Sequence, residues 1–363
     1  MYMKNAVSYL FLVFILGACS PAKEKTSSSQ AEAIDQQTIR KIDVHAHYRY
    51  PRPYLPSFFQ DWNMQAVLVD VAHEDTSGID RSWEQYVDMN IENPEVFYLC
   101  SSLVGAGIDD PYFAAKNIER LKNEIATGAK MVKVWKNFGM VTKDAAGNFI
   151  QIDDARLQPV WDFLKEKGIP VMAHIGEPVQ AWRPLDNPMN PHYEYYKNNP
   201  QYHAFAHPEI PSYETIIAAR DRWIEANPDL PILCAHMGSM SHSVDMVAER
   251  LDKYPNIMVE PAARFGDLAS QNSDKVKAFY VKYQDRIMFG TDFGNYDPAE
   301  GWTAEQLDAE QKDLNATYND LWRYLSTTDS LVIRKQHTRG LGLPREVLEK
   351  VYFQNASNFL GLE

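Results

Sequence analysis

Eight short apolar, β-branched runs, separated by stretches with apolar residues at helical spacing, limit this chain's possible folds more than any other feature of its sequence. The runs fall near 40–48, 66–73, 96–104, 130–137, 169–175, 231–237, 256–263 and 286–292. Between them, AAKNIERLKNEIATG (114–128) and VWDFLKEKG (160–168) each carry a helical apolar stripe and end on glycine, a helix stop. Such alternation is the mark of βα units around a parallel sheet, and eight strands is the number that closes a barrel. The expected fold is therefore α/β, a (β/α)8 TIM barrel, occupying residues 39–363 as one domain. Two connections exceed what a plain barrel needs. Glu177 to Pro211, after the fifth run, is rich in proline and tyrosine and carries His192, His203 and His207, which predicts an ordered aromatic lid. Asn295 to Pro344, after the eighth, holds a helical run around Thr317–Leu325. Loops that follow strands lie at the C-terminal face of a barrel, where sites are built.

The first 18 residues read as a signal peptide: Lys4, an apolar run from Val7 to Leu16, then Leu-Gly-Ala-Cys. That ending resembles the lipobox of bacterial lipoproteins, which implies cleavage before Cys19 and a lipid anchor on its sulfur. Residues 19–38 are polar and low in complexity, as a flexible tether would be. The implied location is the bacterial cell envelope, facing the periplasm or the cell surface. A formal net charge of −13 argues against nucleic acid as a partner. Cys100 and Cys234 lie in apolar runs, where a thiol behaves as a small buried hydrophobe, so no disulfide framework is expected. Nothing in the chain indicates an oligomeric state.

The ends of the runs carry the chemistry. In KIDVHAHY, Asp43, His45 and His47 sit two apart, which in a strand places them on one face, and two imidazoles on one face can grip one divalent ion. Lys133 lies in the fourth run (MVKVWK), His174 in the fifth (VMAHIGEP), His236 in the sixth (LCAHMGS) and Asp292 in the eighth (IMFGTDFG). One strand-end histidine is ordinarily a hydrogen-bonded structural residue; the same rim supplied five times is a different matter. His174 and His236 share the pattern Ala-His-X-Gly, in which glycine lets the backbone turn right after the ligand.

This set, from Asp43 to the NASNF ending at Phe359, resembles the amidohydrolase superfamily, in particular its aminocarboxymuconate semialdehyde decarboxylase-like branch. The resemblance implies that His45, His47, His174, His236 and Asp292 surround one or two divalent metals, zinc being the expected one. It implies a water activated by the metal, Asp292 accepting its proton and returning it to the leaving group, and His236 binding metal or stabilising an oxyanion. Asp43 would lie beneath the histidine pair and orient it. Lys133 matches the position that two-metal members carboxylate to bridge their ions; the other reading is a cationic lysine that binds an anion. Lys136 is a rival at odd spacing, expected to face the helices.

Recognition residues are less legible. Arg264, after the seventh run, would take a substrate carboxylate or phosphate, or form a surface ion pair. His73 and Glu74 at the end of the second run, Trp135 beside Lys133, and Glu177 and Arg183 at the start of the lid are candidate pocket walls. The reading is a membrane-tethered, metal-dependent hydrolase of a small amide, lactone or ester. Its rivals are a metal-dependent non-oxidative decarboxylase of a small carboxylic acid and a substrate-binding lipoprotein.

Overall fold

The apolar runs pair side by side, each parallel to the next. They form β1 (Lys41–Tyr48), β2 (Met64–Val69), β3 (Phe97–Ser102), β4 (Ala129–Val134), β5 (Val171–Ala173), β6 (Ile232–Cys234) and β7 (Ile257–Val259), with β8 (Phe293–Asn295) on the far side of β1. The approach to β8 closes the sheet into a barrel: Ile287 bridges Val259 of β7, and Val44 of β1 donates to the Phe289 carbonyl. The computed structural model describes residues 34–75, 78–295 and 297–362. The expected signal peptide, Cys19 and the expected tether as far as residue 33 lie outside them. Among the described residues no helix is long and apolar enough to cross a membrane.

Burial follows the pleat. Val67, Val69, Cys100, Met131, Met172, Leu233 and Met288 form an apolar cluster with Ile42 and Val44, while Ala66, Leu68, Val132 and Val134 belong to the larger core shared with the helices. Strand by strand, the cluster residues alternate with those packed under helices, which fills the barrel with side chains. The helices Phe113–Thr127 and Gln158–Lys167 stop at Gly128 and Gly168, both at positive φ, where a side chain would be strained.

The lid is ordered as expected, in four short helical turns between Val179 and Ala206. His192 Nε2 lies 2.8 Å from Asp267, which also accepts from Ser241, and His203 Nε2 lies 2.9 Å from the Arg183 carbonyl. In the other long connection the helix is longer than expected. It runs Ala304–Ser326 and starts from a capping box between Thr303 and Gln306. The hairpin Ser330–Ile333 and Gln336–Arg339 follows it.

Candidate metal centre

Two strand ends depart from simple alternation, and both matter to the site. The pairing of β1 with β2 shifts between Asp43 and Ala46, so Asp43 does not share the face of His45 and His47. Asp43 is fully buried and turns to Thr291, bonding its amide (3.1 Å) and hydroxyl (2.6 Å), and to the Tyr318 hydroxyl of the long helix (2.6 Å). It also accepts from the His45 amide at 3.1 Å, so it ties the histidine strand to the segment that carries Asp292. Burial, opposed by these hydrogen bonds, raises its pKa to about 6.

His45, His47 and His236 are each held by the same device. His45 Nδ1 meets Glu260 at 2.8 Å, His47 Nδ1 the Val69 carbonyl at 2.7 Å and His236 Nδ1 the Ala262 carbonyl at 2.7 Å. An acceptor at Nδ1 fixes the proton there and leaves Nε2 as a lone-pair donor. The three Nε2 atoms turn toward one region: His47 Nε2 is 3.0 Å and His45 Nε2 3.5 Å from Asp292 Oδ1, and ligand atoms of His45, His236 and Asp292 lie within 4.8 Å of one another. His174 completes the arc with Nδ1 3.2 Å from His236 Nε2, while its own Nε2 is buried and has no hydrogen-bond partner among the described residues. An orphaned imidazole nitrogen amid nitrogen and carboxylate donors fits a divalent cation.

Electrostatics favour the ligand forms. Burial, with the nearby cations, lowers the pKa of His45 to about 4 and those of His174 and His236 well below the ordinary imidazole range, so all three are neutral near pH 7. Burial alone would raise Asp292, but His45, His47 and Lys133 outweigh it and hold the carboxylate well below its usual range. Lys133 is buried with Nζ 2.9 Å from His45 Nε2, and burial lowers its pKa to about 8.

The backbone is strained where the candidate ligands leave it. Asp292 has φ 62°, a left-handed conformation in which aspartate is tolerated better than most residues. After β6 the turn is more extreme than a glycine following a histidine. His236, Met237, Gly238 and Ser239 all have φ between 57° and 61°, so the histidine itself is left-handed. Gly176 follows His174 by two residues at φ 74°.

These side chains open on a cleft of about 550 Å³ bordered by His73, Trp135, Lys133, Lys136, Tyr195 and Tyr202. His73 is not on β2, which stops at Val69; it starts a small hairpin, His73–Asp75 with Gly78–Asp80. Its ring lies edge-on to Trp135, centroids 4.6 Å apart. Glu74 instead accepts from the Gly105 amide and the Thr142 hydroxyl. Lys136 corrects the expectation that it faces the helices: β4 ends at Val134, so strand alternation does not reach it, and it borders the cleft in an ion pair with Glu177. Arg264 is buried, not a surface ion pair, with Nη2 3.7 Å from Glu177. Arg183 is not among the residues found bordering the cleft.

A family model described as amidohydrolase matches residues 42–362, nearly all of the described barrel. This chain belongs to the amidohydrolase family. Among solved structures, 2,6-dihydroxybenzoate decarboxylase from Rhizobium superposes with a TM-score of 0.50 at 14% identity, over 89% of this amidohydrolase and 99% of that chain. That likeness bears on the fold. An uncharacterised TIM-barrel protein from Bordetella bronchiseptica (TM-score 0.49, 17% identity, 89% and 99% covered) and dihydroorotase from Campylobacter jejuni (0.47, 14%, 90% and 84%) are further matches. No curated protein matches the sequence.

The residue that sequence reasoning missed in this amidohydrolase is Glu260. It is fully buried one position past β7, and accepts from the His45 ring, the His236 amide at 3.0 Å and the Ala262 amide. The signal was present in VEPAARFG as an acid directly after an apolar run, where a buried carboxylate needs donors.

Proposed function

We propose that this protein is a metal-dependent hydrolase of a small amide, lactone or ester. The observation that carries the reading is the common device at His45, His47 and His236: each Nδ1 is satisfied by protein, the Nε2 atoms of His45 and His47 face Asp292, and that of His236 lies beside His174. His45, His47, His174, His236 and Asp292 would hold one or two divalent ions, which supply Lewis acidity and a water acidified toward neutral pH. The chain's own residues do the rest. Asp292 stays ionised at neutral pH, is partly open to the cleft, and is placed to take a proton from attacking water and return it to the leaving group. Glu260 and Asp43 hold the rings and the Asp292 segment in register. Lys133 is buried with a pKa near 8, so a fraction is the neutral amine that carboxylation requires; in that form it would bridge two ions.

The test is a screen of lactones, amides and esters with purified, metal-analysed protein in isotopically labelled water. Label entering the product supports hydrolysis. Carbon dioxide released in step with substrate loss, without label, would replace this reading with the decarboxylase. Retained ligand without turnover across the screen would favour the binding lipoprotein. We further propose that lipidated Cys19 tethers the barrel to an envelope membrane. Wild-type protein should then partition with detergent, and recovery only in the soluble cytoplasmic fraction would refute the anchor.

A further inference from the structure

The cleft is also bordered by a cluster that the hydrolytic steps do not use. Lys136 is buried, and its ammonium has three neighbours: the Glu177 carboxylate, the Tyr195 oxygen at 2.7 Å and the face of the Tyr202 ring, 3.7 Å from its centroid. On its far side Glu177 meets a second cation, Arg264, at 3.7 Å, and accepts from the Tyr196 hydroxyl at 3.2 Å. Arg264 is itself buried, its Nε has no hydrogen-bond partner among the described residues, and its Nη1 donates to the Ala263 carbonyl at 3.3 Å. Glu177 thus stands between two buried cations, and Asp267 and Asp292 act on them as well. A carboxylate that reaches the ammonium and the tyrosine hydroxyl from the cleft gains hydrogen bonds assisted by charge. The hydroxyl of Tyr195 has its oxygen engaged by an ammonium, which leaves its hydrogen free to donate. Both Lys136 and Tyr195 border the cleft.

We propose that Lys136 and the Tyr195 hydroxyl form an anion subsite that takes a carboxylate of the substrate away from its reacting carbonyl, with Arg264 drawing off the charge of Glu177 from behind. The substrate class is narrowed accordingly, to an amide, lactone or ester that carries a free carboxylate. Trp135 and Tyr202, rings 5.8 Å apart on the same wall, suit a flat body between the two ends. This rests on the hydrolase reading for the identity of the reacting group, but the subsite itself would exist under either chemistry. Its test therefore measures binding, not turnover.

The probes are benzoate, its neutral counterpart benzamide, and inorganic phosphate. Each is titrated calorimetrically into metal-loaded and metal-stripped protein, because a carboxylate bound only by metal would lose its affinity on stripping. Benzoate should bind at least about 10-fold tighter than benzamide in both forms, as expected where a charge-assisted hydrogen bond is made. Tyr195→Phe, which removes only a hydroxyl from a half-exposed lid residue, should weaken benzoate about 10-fold and leave benzamide unchanged. Lys136→Met should abolish the preference. Glu177 keeps Arg264 beside it in that variant, and Lys136→Gln, which removes the charge but keeps a donor toward Glu177, is the second variant and should bind benzoate no better than benzamide. Equal binding of benzoate and benzamide by the wild type, a preference that disappears with the metal, or one that survives in Tyr195→Phe and Lys136→Gln would overturn the proposal. Phosphate displacing benzoate at lower concentration than benzoate itself requires would overturn the carboxylate assignment. Failure of the hydrolysis screen with these results intact would count against the reaction alone.

Discussion

Replacing Glu260 by Gln should weaken the metal centre without unfolding the barrel. The carboxylate is fully buried and accepts three N–H groups, from the His45 ring and the amides of His236 and Ala262. Gln has the same shape, yet one of its two terminal atoms is a donor, so at least one of the three N–H groups would face another N–H. A hydrogen bond to a charged acceptor contributes about 1.5–3 kcal/mol, and about 1.4 kcal/mol is a factor of ten in affinity. A loss of roughly 10- to 100-fold in metal affinity follows, the size usual for groups that orient a ligand from behind. The substitution also removes a negative charge near the ion, in the same direction. Competition against a chelating indicator, with far-ultraviolet circular dichroism to verify the fold, measures it. Metal affinity within about threefold of wild type in a folded variant would mean that Glu260 does not orient the ligands.

Asp292→Asn keeps the shape and the left-handed backbone, which Asn tolerates, but removes the proton acceptor; turnover should fall about 100-fold or more while metal is retained, and near wild-type rates would exclude Asp292 from proton transfer. The double variant His45→Ala/His47→Ala should lose metal by elemental analysis while the barrel stays folded, and unchanged metal content would refute the ligand assignment. Lys41 is 1% exposed, donates to the Ile39 and Trp62 carbonyls at 2.8 and 2.9 Å, and has its pKa lowered by burial to about 7. Its folded pKa lies below the unfolded one, so the unfolded chain holds more protons between about pH 7 and 10.5 and stability contributed by this group rises with pH across that window. The urea midpoint of wild type should therefore climb relative to Lys41→Met over that range, and parallel curves would refute it.

The barrel was legible because eight strand-like runs at regular spacing leave little else to build. Strand lengths were read too generously: the run at 130–137 pairs only through Val134, so alternation said nothing valid about Lys136. The histidines and Asp292 were legible as donor types at strand ends, and their convergence follows from the barrel itself. Asp43 misled because periodicity assumes unbroken pairing, and a register shift in β1 leaves no mark in the side-chain pattern. Glu260, as an acid directly after an apolar run, and Glu177, at the start of the lid, were legible as candidates but not in their partners. Those partners, the His45 ring and Lys136, come from segments distant in sequence, which no local pattern encodes.

The four left-handed residues that follow β6 bear on the order in which this amidohydrolase assembles. A left-handed conformation costs about 1–2 kcal/mol for each residue other than glycine, so His236, Met237 and Ser239 would not hold it in isolation. Their clasps come from elsewhere: Glu260 takes the His236 and Met237 amides through its side chain and its carbonyl, and the Ser239 hydroxyl reaches the Ile175 and Gly176 carbonyls. The turn can therefore set only once β5 and β7 flank it. By the same logic its amides should exchange with solvent sooner than those of the strands beneath, and a bound ion would close that early door by fastening His236 to β1.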